Sequence, residues 1–454
     1  MILYKLNKKM ALTIKFNSNY EYLNSKYNLN IKKQKIPCNF TKKLTIDLKK
    51  TFDNIKLEQS EYLKDILDFI NNINSKTFFD LSFGEILKIL FTDEISNISQ
   101  KNYLNNINNY LNYQKLKVNI NNNNKNYFIN KYLGKGSYSL VFQIKDNDDN
   151  DYAIKIFNSN FNNKFFKKEI NFLKKLNNYN SFINCICHDN TKHFKYVVME
   201  KIKYNLYQFV INNTYNHIPL KLVLNFMKSL LNCLKILKNE KIIHTDIKLE
   251  NIMINSCDIN QIIENNIQIK LIDFSLSIDK EEKETNTITY LQSRYYRSIE
   301  VATRYKYDYP MDIWSVGCVL FELYTKNPLF PSDDELDHFK MITETFGMPP
   351  KYMIESFKLY FEEIKINKIR QNKYDMYYKI IDYIHNFNNY NVINSYQKII
   401  KYKILKLVSN KEEINSKEFD NFCCIISKMF KLNPYERINI EEAITSFNKF
   451  DLKN

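Results

Sequence analysis

The stretch HTDIKLEN, residues 244–251, sets an Asp, a Lys and an Asn in an order that suits phosphoryl transfer. The carboxylate of Asp246 can accept a proton from a hydroxyl. Lys248, at i+2 in an extended loop, points the same way and can hold a transferring phosphoryl group; Asn251, at i+5, can offer an amide oxygen to Mg2+. A second hard oxygen ligand follows in LIDFS, where Asp273 precedes a Phe274 expected to pack beneath it. Upstream, Lys155 in YAIKIF is flanked by Ala153, Ile154 and Ile156, apolar surroundings in which an ammonium needs an anion. Glu169, inside a helical segment, is a candidate partner. The plain alternatives are a lysine on an edge strand and a carboxylate on a solvated helix face. Two metal-binding oxygens, a base and two lysines in this order are the parts that phosphoryl transfer requires.

The elements that must position these side chains can be read from periodicity. Glycine is scarce, with only 5 in 454 residues, so its placement carries information. Gly134 and Gly136 stand in YLGKGSYSLVF, where a strand, a Gly-x-Gly turn and a returning strand let backbone N–H groups approach phosphate oxygens. Taken alone, the pair is equally an ordinary hairpin turn. YFINKYLG, LVFQIK, DYAIKIF and YVVMEKI read as strands and FFKKEINFLKKL as a helix. From Pro219 the period changes. Leu220, Val223, Leu224, Met227, Leu230, Leu231 and Leu234 form one helical stripe, with Pro219 suited to its first turn. A strand-rich lobe thus precedes a helix-rich one. NIMIN and IQIKLIDF read as paired strands whose connection is longer than a tight turn needs. Residues 119–126, NINNNNKN, form a polar tract expected to be a linker. Before it, Leu44, Leu48, Phe52 and Ile55, and then Leu63, Ile66, Leu67, Ile70 and Ile73 after a Ser60 cap, predict a small helical region.

With 44% apolar residues the chain can bury a real core. It has no long uncharged apolar run and no signal-peptide pattern, which predicts a soluble intracellular protein without membrane association. The net charge of +16 does not by itself indicate nucleic acid. Abundant Asn, Lys, Ile, Tyr and Phe beside scarce Gly, Pro and Trp are what an A/T-biased coding sequence gives, and no nucleic-acid-binding motif accompanies the charge. The 8 cysteines are scattered and make no disulfide framework. Cys185, Cys187, His188 and His193 are better explained by alternation in a strand than by zinc.

On these motifs, residues 127 to about 449 resemble a eukaryotic protein kinase domain. The resemblance implies an α+β bilobal fold: a small β-rich N-lobe (about 127–202), a larger α-helical C-lobe (about 203–449) and a group-specific insert (about 345–415). It also implies Mg2+ and ATP as cofactors. By similarity Leu133, Gly134, Gly136 and Val141 would cover the nucleotide, and Lys155, paired with Glu169, would bind its phosphates. Met199 and Ile202 would line the adenine pocket at the hinge, Asp246 would be the catalytic base beside Lys248, and Asn251 and Asp273 would hold Mg2+. Glu300 and Arg437 would form a buried pair anchoring the activation segment, and DIWSVGC would be the all-round apolar central helix. Within the group that also holds the cyclin-dependent, mitogen-activated and SR-protein kinases, TYLQSRYYRSIEV is most similar to the dual-specificity tyrosine-regulated and homeodomain-interacting kinases. HTDIK is similar to the SR-protein and Cdc-like kinases.

A phosphate on Tyr290 would carry about −1.5 to −2 charges, and Arg294 and Arg297 are spaced to fork onto it. Ser293 is expected to hydrogen-bond near Asp246 and Lys248, orienting the base. The function implied is phosphorylation of Ser/Thr in protein substrates, with tyrosine autophosphorylation at Tyr290. Five positions depart from the family pattern: Ser139 stands for a Gly, Thr245 for an Arg, Leu249 for a Pro, Ser275 for a Gly and Ile299 for a Pro. Strain at such positions costs about 1–3 kcal/mol, whereas losing a base or metal ligand would cost more. Ser275 is expected to stiffen the Asp273 turn. A pseudokinase scaffold is the competing reading, and a basic nucleic-acid-binding protein a further one.

Overall fold

The computed structural model describes residues 126–136, 139–157, 162–190, 195–214, 216–264, 268–282, 291–366, 371–387 and 395–451, with short strands at 12–16, 31–34, 42–46 and 117–119. These residues fall into two compact units, 1–160 with 189–198 and 161–188 with 199–454.

Period-two alternation builds the first unit. Strands β1 (Leu12–Phe16), β2 (Ile31–Gln34) and β3 (Lys42–Ile46) form an antiparallel sheet in the order β1-β3-β2. Leu44, expected on a helical stripe, is therefore in a strand, where alternating Leu44 and Ile46 flank β-branched Thr45. Leu48, Phe52, Ile55 and the stripe from Leu63 to Ile73 lie outside the described residues. β4 (Lys117–Asn119) pairs antiparallel with β5 (Asn126–Lys135), with Asn119 opposite Asn126. The Asn-rich tract is thus the connection of a hairpin and not a linker, because its flanks are recruited into the ladder. β6 (Ser139–Lys145) and β7 (Asp151–Phe157) continue the sheet, and Asp146 clamps the turn between them by accepting from the N–H groups of Asp148 and Asn150, both at 3.0 Å.

Helix α1 (Asn163–Leu176), capped by the side chain of Asn162, follows. With β8 (Cys185–Asn190) and β9 (Lys195–Glu200) the sheet runs β4-β5-β6-β7-β9-β8. Leu140, Phe142, Ile144, Ile154 and Ile156 form its core. In β8, buried Cys185 and Cys187 flank an exposed Ile186, the alternation expected, and no metal-binding cluster occurs among the described residues.

The second unit is helical. Its elements in chain order are β10 (Tyr204–Asn205), α2 (Leu206–Asn212), α3 (Leu220–Asn239), β11 (Ile242–Ile243), β12 (Ile252–Ile254), α4 (Ile259–Glu264), β13 (Lys270–Leu271), β14 (Ile278–Asp279), α5 (Ile299–Ala302), α6 (Pro310–Thr325) and α7 (Glu335–Phe346). They continue with α8 (Lys351–Ile366), α9 (Gln371–Asn386), α10 (Tyr396–Leu405), α11 (Lys411–Ile414), α12 (Lys417–Met429) and α13 (Ile440–Asp451). α1 belongs here, although the expected lobe boundary put it upstream: Lys168 pairs with Glu282 at 2.9 Å and Phe182, just beyond the helix, bridges Leu271. The stripe predicted from Leu220 is the buried face of α3, with Pro219 as the N-cap residue and not inside the first turn. β12 and β13 pair as expected, and α4 accounts for the length of their connection. The insert region contributes α8 to α11. Among the described residues no helix is long and apolar enough to cross a membrane.

α6 forms the axis of this unit, buried on every side and packed on α3 and α12. Beside it lies the Glu300–Arg437 pair, two parallel bonds of 2.6 and 2.9 Å between fully buried groups. The guanidinium also donates to the carbonyls of Pro310 (2.8 Å) and Lys431 (3.0 Å) and lies over the Trp314 ring at 5.1 Å. Arg437→Ala leaves the Glu300 carboxylate buried with no counter-ion, and the loss expected is about 3–5 kcal/mol of unfolding free energy. Urea denaturation followed by Trp314 fluorescence measures it.

Candidate active site

In the first unit, register decides between the two readings of Lys155. β7 lies between β6 and β9, so it is not an edge strand, and Lys155 opposes Val141 in the β6 ladder. Residues 153–157 are all buried, and Lys155 is only 7% exposed. Its ammonium stands 5.1 Å from the centroid of Phe157, the next side chain on the same face. Gly134 pairs with Val141, and a Cβ built on it would meet no heavy atom within 4 Å, open space above the strand. Gly136 differs from expectation: its N–H donates to the Ser139 carbonyl at 2.8 Å and closes the hairpin. Leu133 is exposed.

In the second unit, Glu169 lies on the buried face of α1 with Phe166, Ile170 and Leu173 and is 2% exposed, which removes the solvated-face reading. Ile202 is buried and Met199 half-buried at the end of β9.

The loop after β11 is held from below by α6. Asp312, in the first turn of that helix, accepts the backbone N–H of His244 at 2.7 Å and of Thr245 at 3.0 Å. These bonds fix Thr245 at φ 67°, a left-handed conformation that a β-branched residue adopts only when its surroundings compel it. His244 is buried and its pKa is lowered by loss of solvation, so the ring is neutral. Its Nδ1 accepts from the Asp246 N–H at 3.2 Å, which leaves Nε2 to donate to the Ile272 carbonyl at 3.0 Å. Thr245 Oγ1 donates to Leu276 O at 2.8 Å and Ser277 Oγ to His244 O at 3.1 Å.

On this base the Asp246 carboxylate gathers its donors. Lys248 Nζ reaches Oδ2 at 2.8 Å and Asn251 Nδ2 the same oxygen at 3.1 Å; Ser293 reaches Oδ1 through Oγ at 2.7 Å and through its N–H at 3.2 Å. Lys248 also donates to Ser293 Oγ at 2.9 Å, closing a triangle of carboxylate, ammonium and hydroxyl. Asn251 Nδ2 further donates to the Asp246 carbonyl at 2.8 Å, so the amide nitrogen is committed and the amide oxygen faces the other way. The Ile272 N–H donates to Asn251 O at 2.9 Å, tying that residue to the strand before Asp273. Asp273 itself sits at φ 66°, and Phe274 packs on His244 and Phe182 with centroids 5.0 and 6.0 Å away. A carboxylate and a turned amide oxygen are the hard donor set that Mg2+ takes, so these two residues fit it.

Tyr290 lies outside the described residues. Of its expected arginine partners, Arg297 is buried and donates to the carbonyls of Leu291 (3.1 Å) and Gln292 (3.0 Å), with Glu335 at 3.5 Å. Arg294 donates to the carbonyls of Ser332 (3.4 Å) and Asp333. Both therefore brace the segment against the start of α7. Sequence reasoning missed Asp312 as the support of the loop that carries Asp246. Its signal was present, one of only two carboxylates, with Glu322, in an otherwise apolar helix.

Comparison with known proteins agrees with this geometry. The family described as protein kinase domain matches residues 127–447. Among similar proteins are the Dual specificity tyrosine-phosphorylation-regulated kinase 2 of Drosophila melanogaster, 34% identical over 50% of this chain and 31% of its own length, and the human kinase 4 of that name, 34% identical over 51% and 44%. The Dual specificity protein kinase YAK1 of Saccharomyces cerevisiae is 28% identical over 59% and 33%. The chain thus spans less than half the length of these relatives.

Burial pushes the Asp312 carboxyl up to about 7, against the smaller opposing pull of its two backbone donors. A carboxyl raised above its unfolded value of about 3.9 favours the folded state most below that value and loses the contribution as pH rises through about 7. Unfolding free energy measured from pH 4 to 7 should fall in the wild type. Asp312→Asn should be less stable throughout but flatter across that window.

Proposed function

This chain belongs to the protein kinase domain family, and from that premise we propose that it is an active kinase passing the γ-phosphoryl group of ATP to Ser/Thr hydroxyls of proteins. The observation that carries the proposal is the convergence of Lys248, Asn251 and Ser293 on the two oxygens of Asp246. A carboxylate merely left over in a decayed fold has no need of such a shell. In this reading Asp246 accepts the proton of the incoming hydroxyl, with Ser293 and Lys248 holding its oxygens in place. By the family resemblance, Lys155 takes phosphate oxygens, and Leu133, Gly134, Gly136 and Val141 cover the nucleotide. Asn251 and Asp273 hold Mg2+, which when bound neutralises charge developing on the transferred group.

The five departures support activity over a scaffold role. Thr245 and Ser139 are buried and bonded or paired in place, and Leu249 and Ile299 fill the core. None replaces a residue with a proposed chemical role. Autophosphorylation of Tyr290 is part of the same reading. Arg294 now serves neutral carbonyls, for which a phosphate would substitute stronger charge-assisted bonds; Arg297 already faces Glu335 as well as two carbonyls. The nucleus and the cytoplasm both suit such an enzyme.

Transfer of labelled γ-phosphate to a generic basic protein tests the proposal. Asp246→Asn should lower the rate by about 10²- to 10⁴-fold, and Lys155→Met should suppress it with the fold retained. A wild type no faster than Asp246→Asn would establish the scaffold reading. Peptide mass spectrometry of bacterially expressed protein should find phosphate on Tyr290; an active preparation with bare Tyr290 would refute that step.

A further inference from the structure

We propose that Ser275 is a positioning residue, whose hydroxyl holds the Asp273 carboxylate in the orientation in which it meets the metal. The inference rests on the reading of Asp273 as a magnesium ligand. Ser275 Oγ donates to Asp273 Oδ1 at 2.8 Å, while the Ser275 N–H reaches the same oxygen only at 3.4 Å. Of these two contacts, glycine at this position would keep only the longer backbone one. The hydroxyl therefore adds a short bond that restricts the rotation of the carboxylate.

The surrounding turn is held in the same manner. Asp273 occupies φ 66°, a conformation that a short polar side chain tolerates when it is bonded locally. The Ser277 N–H closes the turn on Phe274 O at 3.1 Å, and Thr245 Oγ1 takes Leu276 O at 2.8 Å. Thr245 and Ser275 are two of the positions where this chain departs from the family pattern, and both direct a hydroxyl into residues 273–277. In effect, Ser275 exchanges the mobility of a glycine for a preset ligand, and Thr245 steadies the same turn. Partners that orient a metal-binding carboxylate raise metal affinity because less rearrangement is needed on binding.

The test is an equilibrium one, free of turnover, on the full chain. The thermal shift produced by ADP is measured against Mg2+ concentration for the wild type and for Ser275→Ala, Ser275→Gly, Ser275→Thr and Asp273→Asn. Ser275→Ala and Ser275→Gly should raise the Mg2+ concentration at half-maximal shift on the order of tenfold. Ser275→Thr should restore it, and melting without ligand should move little. Unchanged midpoints in Ala and Gly would overturn the proposal, as would a fall in unliganded melting temperature with the midpoint unmoved. Asp273→Asn separates the two layers. If it alone shifts the midpoint, Asp273 is the ligand and Ser275 does not position it; if it behaves as the wild type, the ligand assignment itself fails.

Discussion

A buried carboxylate beneath the catalytic loop is the constraint on which the rest turns. Asp312 is removed from water inside α6, and the cost of that burial is partly offset by the two backbone N–H groups whose bonds it accepts, those of His244 and Thr245. Both donors belong to consecutive residues, so the bonds dictate the direction of the chain as well as its place. The left-handed Thr245 follows, and from it the turn that presents Asp246. The neutral His244 ring then ties this loop to Ile272, the residue after β13. The place of Asp246 is thus referred to a helix buried all round.

Much of this was legible in the sequence because chemistry and period coincide there. Lys155 reads as buried since it sits among Ala153, Ile154 and Ile156, and the sheet places β7 centrally. Ser293 reads as a neighbour of Asp246, and it is one. Other features were hidden for physical reasons. Asp312 looks like one more helix-start acid until the helix is seen to be buried all round. The Asn-rich tract has the composition of a linker, yet pairing of its flanks depends on a partner strand whose position no local pattern encodes. Leu44 fits a helical stripe and a strand equally well, and pairing within its own sheet decides between them. Gly136 was read as a phosphate donor, whereas hairpin closure claims its N–H.

The departures from the family pattern also become intelligible. A side chain that stands where the family pattern has another must find a place. Ser275, in place of a Gly, and Thr245, in place of an Arg, have hydrogen-bond acceptors within one short turn, and Leu249 and Ile299, each in place of a Pro, lie in the core. The replacements are polar where a carbonyl or carboxylate lies within reach and apolar where the surroundings are.

The salt bridge between Glu300 and Arg437 joins residues 137 positions apart, and that separation governs the order of events at the ribosome. Synthesis is vectorial, so every side chain assigned a chemical part emerges before the guanidinium that neutralises Glu300. A chain cut short within α12 would therefore bury Glu300 without the guanidinium that neutralises it, and the last stretch of synthesis supplies the brace beside α6.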